Sequence, residues 1–158
     1  MTPAEAAELV ALIEEQERRL VLPHFTNEDA WRLGGTLVEL AREQAAPVTV
    51  DIRRGAQQLF HFALPGTSAD NDAWLRRKTR TVERYGCSSY LVGLRFTARG
   101  SSFEQSSRLD PDRYAAHGGA FPVTVAGVGV VGAVAVSGLP QGDDHRLVVG
   151  ALERHLAG

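Results

Sequence analysis

The sequence has a single cysteine, Cys87, so no disulfide can form within the chain, and it suits a reducing compartment. It has no apolar run of the ~18 residues that a membrane span requires. Its opening, Met1-Thr2-Pro3-Ala4-Glu5, is polar and acidic, the reverse of a secretory leader. These absences predict a cytoplasmic protein with no membrane partner. A basic excess is missing too. The formal charge of −2 argues against a nucleic-acid partner. Aromatic residues are only 7% of the chain, a thin supply for a large apolar slot. No paired His or Cys spacing suits zinc, and no motif for covalent haem attachment is present. A G-x-S-x-G elbow and a phosphate-binding P-loop are also lacking. With no catalytic constellation assembled, the sequence favours binding over strong catalysis.

What is there describes one domain over residues 1–158. Apolar residues make up 44% and charged residues 23%, a balance that supports a self-sufficient core at this length. Thr2, Pro3 and Glu5 predict a capped helix start. A second helix is predicted from Asn27, with Ala30, Trp31, Gly34, Leu37, Val38 and Ala41 at helical spacing and Trp31, Leu37 and Val38 buried. Gly34 is read as a point of close backbone approach. Val48 to Arg53 and Leu59 to Leu64 read as strands joined by a Gly55-Ala56 turn. That register sets His61 on the face of Val50, and a one-residue shift would reverse it. Asp70 or Asn71 is expected to cap a helix through Tyr85. Another helix starts at Ser88 or Ser89, and the polar stretch from Ser101 to Arg108 reads as a loop. Phe121 to Val125 and Val128 to Val136 form a second hairpin. Asp143 is expected to cap a last helix.

Hairpins make antiparallel sheets, and a strand apolar on both sides needs helices to cover it. The expected fold class is therefore α/β of the α+β type, an antiparallel sheet layered with helices.

Several patterns invite a chemical reading. Gly127-x-Gly129-x-x-Gly132 matches a dinucleotide fingerprint in letters. The residues after it, Ala133-Val134-Ala135-Val136, prefer a strand where that chemistry needs a helix N-terminus. Arg76, Arg80 and Arg84, spaced by four, share a helix face. They could dock carboxylates or phosphates, or form a plain solvated face. Cys87 precedes a helix start, which lowers a thiol pKa, yet no base accompanies it. Asp143 and Asp144 beside His145 fit either acid–base work or helix-end electrostatics.

The runs His117-Gly118-Gly119-Ala120-Phe121-Pro122-Val123 and Gly132-Ala133-Val134-Ala135-Val136-Ser137-Gly138-Leu139-Pro140-Gln141, followed by Asp143-Asp144-His145, carry a resemblance. So do Asp70 to Lys78 and Ser88-Ser89-Tyr90. The chain resembles the haem-degrading domain family of the GlcG and HbpS type, in its short bacterial and fungal branch. The resemblance implies a profilin-like sheet, a homo-oligomer, and haem or a related tetrapyrrole as the cofactor. His117 is then the first candidate iron ligand, because Gly118 and Gly119 leave room for a flat ring. His145 is the second, and Arg77 and Lys78 are candidate propionate anchors. Any activity would be weak haem degradation. The other reading is a non-enzymatic oligomer that binds a protein partner or small metabolite, without haem.

Overall fold

A computed structural model describes all residues 1–158. Its elements in order are α1 (Pro3–Arg19), α2 (Asn27–Glu43), β1 (Thr49–Arg54), β2 (Gln57–Ala63), α3 (Ala69–Tyr85), α4 (Ser89–Ala98), α5 (Phe103–Ser107), β3 (Ala120–Val125), β4 (Gly129–Ser137) and α6 (Gln141–Ala157). The four strands form one sheet, β2-β1-β4-β3, and every pair in it is antiparallel. Hairpin tips join β1 to β2 and β3 to β4, as the turn residues require.

Helices cover both faces. Val134 and Val136 of β4 enter the main core with Leu33 and Leu37 of α2 and Leu147, Val148 and Leu152 of α6. Ala133 and Ala135 point the other way, onto Leu75 and Val82 of α3. Strand alternation thus explains why this stretch is apolar at every position. Helix α1 packs on α4, where Ala6 and Ile13 meet Leu91, Val92 and Phe103 in a smaller core. The segment between α1 and α2 bridges to the β3 edge at Leu22, which exchanges backbone bonds with Thr124 and Ala126. That edge is covered, while the β2 edge is not.

Five expectations need correction. Trp31 is 67% exposed. The core slot beside Gly34 is filled by Phe60 of β2, since a Cβ at Gly34 would stand 2.3 Å from its ring. A side chain, not a backbone, makes the close approach, and Trp31 is left to lie edge-on to Phe60 from outside. In the first hairpin Arg53 pairs with Gln58 but Ile52 with Phe60, so a bulge at Leu59 shifts the register by one. His61 therefore pairs with Asp51 and shares its face, opposite to Val50. The stretch Ser101 to Arg108 holds a short helix capped by Ser102 and anchored by the buried Phe103. Helix starts also fall earlier than expected: Thr26 and Ser68 are the caps of α2 and α3. Asp143 lies in the first turn of α6, after the Pro140 cap. The glycine triplet Gly127, Gly129 and Gly132 spans the β3–β4 turn and strand, with no helix after it, so it cannot cradle a pyrophosphate.

Candidate functional site

One end of α3 meets the loop before β3 and the start of α6. Helix α3 buries Leu75, Lys78, Thr79 and Val82, so Lys78 sits on the inward face three residues after Leu75. Its Nζ donates to Gly118 O at 3.0 Å, to Val136 O at 2.6 Å and to Asp144 Oδ2 at 3.3 Å. Asp144 also accepts the backbone N–H groups of Gly138 and Leu139. Burial pushes the Lys78 pKa down and the Asp144 pKa up, each against the attraction of its partner. Gly119 makes this packing possible. It has φ +132, and a Cβ there would lie 2.4 Å from Lys78 Nζ. Three protons meet three acceptors, so Lys78 has no donor left for a ligand carboxylate. Its role as a propionate anchor falls on that count.

Above this ion pair lies a cleft of about 240 Å³ lined by Asp70, Asn71, Trp74, His117, Ser137, Gln141 and their neighbours. His117 stands exposed at its mouth, tilted on the Trp74 ring at 5.2 Å. Neither ring nitrogen is engaged by another protein group. Partial burial lowers its pKa, helped by the Lys78 and Arg77 charges and opposed by Glu104, so the neutral form is favoured. The Arg77 guanidinium lies over the same indole, 4.3 Å from its centre. It forms no ion pair, and its buried Nε has no partner. On the other side of His117 a cleft of about 200 Å³ offers Met1, Tyr90, Leu94 and Phe103. His117 is thus a ridge between a polar and an apolar hollow.

His145 is elsewhere. It is 3% exposed, between the rings of Tyr90 and Phe121, with Nε2 2.8 Å from Gln16 Oε1. Burial, with a smaller push from Arg146, lowers its pKa to about 4. It ties α6 to α1 and leaves no opening for a macrocycle. Its neighbour Asp144 faces the Lys78 pair, so one step along α6 separates the two jobs. Cys87 is 7% exposed, and burial, with the nearby Glu17, pushes its thiol up to about 11. That makes it a poor nucleophile.

A second histidine cleft was not legible as a site. It measures about 540 Å³ and is lined by Trp31, His24, Arg32, Glu39, Arg154 and His155 among others. Asp29, buried at the start of α2, closes a capping box with Thr26 and also approaches Arg32. Its Oδ2 lies 2.6 Å from His24 Nδ1. Burial would raise the Asp29 pKa, but the bonds from Thr26, His24 and Arg32 outweigh it and hold the carboxyl well below its ordinary range. An ionised carboxylate only accepts, so Nδ1 carries a proton. The available signal was Thr26-x-x-Asp29 with His24 two residues before the cap.

A protein-family model for the haem-degrading protein HbpS-like matches residues 25–153 of the chain. The chain belongs to the HbpS-like family. Two UPF0303 proteins from Streptomyces relate to this HbpS-like chain over almost all of its length. The one from Streptomyces coelicolor, SCO2848, is 70% identical over 99% of both chains. The one from Streptomyces avermitilis is 67% identical over 99% of this chain and 96% of its own. Among solved structures, the Ybr137w protein superposes with a TM-score of 0.83 at 31% identity, covering 90% of this chain and 85% of that one. A PduOC structure solved as a haem complex superposes with a TM-score of 0.69 at 18% identity, covering 82% and 93%, which shows a shared fold. His117, Arg77 and Lys78 lie inside the family match, whereas His24 and His155 fall just outside it.

Proposed function

We propose that this HbpS-like chain binds haem or a related tetrapyrrole, with His117 as the iron ligand. The observation that carries this reading is an exposed imidazole, shifted toward its neutral form, with both ring nitrogens free beside an unpaired guanidinium. A haem iron takes a neutral imidazole, its ring wants apolar surface, and its propionates want cations. His117, the Tyr90–Leu94–Phe103 hollow beside it and Arg77, which lies on the same Trp74 ring as His117, would supply these three. The family match and the haem complex of a protein with the same fold support the choice of ligand class.

The fit also sets a limit. The polar cleft, at about 240 Å³, is smaller than the roughly 300–1,000 Å³ of sites that enclose a drug-sized ligand. The group would be held across the ridge and open to solvent, which suits binding or transfer better than guarded catalysis. Bound haem would supply an iron centre able to exchange ligands and electrons. The chain would supply a His117 ring nitrogen to hold the iron and Arg77 as the charge complement.

The test is titration of haemin into the purified protein, followed at the Soret band. A saturable shift at one haemin per chain is expected. His117→Ala should abolish it, and Arg77→Gln should weaken it several-fold. His145→Ala should leave the band position unchanged. A wild type with no saturable shift, or a His117→Ala protein that titrates like it, overturns the proposal. The first of those outcomes favours the other reading, a non-enzymatic binder of a small metabolite in the polar cleft.

Exposed apolar surface supports the further reading of a homo-oligomer. Edge strand β2 is bare, and Trp31, Phe62, Val128 and Val130 are exposed apolar groups. Light scattering should report a species larger than 17.1 kDa at micromolar concentration. A strict monomer would refute self-association without touching the haem proposal.

A further inference from the structure

The arginine face of α3 does not form the stripe its spacing suggests. Arg84 leaves it and lies over the Tyr114 ring, 5.7 Å from its centre. Its place is taken by Arg53, which arrives from the end of β1. Arg53, Arg76 and Arg80 line one cleft of about 500 Å³, between α3 and the Gly55–Ala56 hairpin tip. Glu83 is the single carboxylate in that lining. The local excess of positive charge stands out on a chain of net charge −2.

The three guanidiniums are prepared unequally. Arg53 gives Nε to Asp51 at 2.9 Å, which fixes its plane and leaves its two terminal nitrogens free. Asp51 is in turn held by Gln58 at 2.6 Å, so the anchor is firm. Arg80 gives one nitrogen to Arg113 O at 3.2 Å and meets no acid. Arg76 is exposed and has no partner at all. Planar guanidinium forks match the oxygens of an oxoanion in pairs, and several forks call for more than one negative charge. The cleft volume leaves space for a ligand body beyond the charged group. Three cations are too few for a nucleic-acid track, which engages phosphates repeatedly along a strand.

We infer that the cleft between the β1–β2 hairpin tip and α3 binds a phosphorylated small molecule, gripped by Arg76 and Arg80 and oriented by the Asp51-anchored Arg53. This site is separate from the His117 ridge and does not rest on the haem reading.

Inorganic pyrophosphate is the probe, titrated into the full chain and followed by backbone amide NMR shifts. Saturable shifts confined to the hairpin tip and α3 are expected, weakening as salt is raised toward about 0.15 M. The double variant Arg76→Gln/Arg80→Gln should bind at least about tenfold more weakly, since each lost charge-assisted bond is worth that much. Arg146→Gln, whose arginine pairs with Asp143 on α6, should bind like wild type. Amide shifts of the double variant that match wild type outside the hairpin tip and α3 show that its fold is intact. The inference is overturned by shifts that never saturate, by an equal response to sodium chloride at matched ionic strength, or by a double variant that binds like wild type. A double variant that changes only the oligomeric state also overturns it and makes the cleft a contact between copies.

Discussion

The two histidine clefts place an imidazole at the surface in opposite ways. At His24 a buried carboxylate seizes one ring nitrogen, and the cap of α2 holds that carboxylate. At His117 nothing in the protein takes either nitrogen, and the charge below the cleft is spent on itself in the Lys78–Asp144 pair. The first arrangement gives a fixed, polarised imidazole over a wide hollow. The second gives an adaptable one beside a free cation. A protein that satisfies all of its own polar groups has nothing left to offer a ligand. His117 and Arg77 are the neighbours left unsatisfied.

The sharpest way to break this contrast is to remove the floor of the His117 cleft. Lys78→Met strands Asp144 in the interior, and breaking a buried pair from one side costs about 3–5 kcal/mol. At this chain length that lowers Tm by roughly 10 °C or more. Adding Asp144→Leu should restore part of the loss, because the stranded carboxylate is gone. A Lys78→Met protein as stable as wild type in urea unfolding would show that the pair is not what holds α3 to α6.

Acid acts next, through His145. Its pKa is about 4 in the fold against about 6.5 unfolded, so the unfolded chain binds the extra proton between those values. Stability contributed by the neutral ring is complete above about pH 6.5 and falls as pH drops toward 4, by about 3 kcal/mol. His145→Leu should flatten that part of the stability–pH curve. Asp29, with its pKa depressed, contributes stability that is present above about pH 4 and lost only at lower pH. The two windows separate the His145 contribution from that of Asp29, and an unfolding series from pH 7 to pH 3 reads the first in full and the onset of the second. A wild-type curve that is flat between pH 6.5 and 4 would contradict the role given to His145.

A smaller effect is expected at the His24 cleft. Asp29→Ala removes half of a capping box and should cost about 1–2 kcal/mol. It also frees His24 Nδ1, so the imidazole NMR signals of that residue should move while those of His117 stay in place. Trp31→Ala comes last, at about 1 kcal/mol, the worth of one edge-on aromatic contact rather than of a core tryptophan. A loss of 3 kcal/mol would mean that the indole is covered in solution, as an interface between copies would do.

The architecture was legible because it rests on periods and punctuation. The alternation of β4, the hairpin glycines and the helix-ending residues point to one antiparallel sheet under helices. What stayed hidden depended on single-residue geometry. Lys78 sits in a run of basic residues that reads as solvated, yet one turn of α3 carries it inside. The Leu59 bulge, one extra residue, moved His61 across the sheet. Gly34 announces a close approach but not that Phe60 would win the slot over Trp31. At the candidate site, the resemblance names His117 and Arg77, and the fold sets both against Trp74. That Lys78 and His145 are consumed inside the protein is a matter of partners far away in sequence, Val136 and Gln16.

The central claim is that the free imidazole, not the carboxylate-held one, takes the iron. Its most direct test is haemin titration of His117→Ala and His24→Ala side by side, read at the Soret band. The account predicts that His24→Ala saturates like wild type, at one haemin per chain and with the same band position, while His117→Ala shows no saturable shift. A saturable band that survives in His117→Ala and disappears in His24→Ala would contradict it.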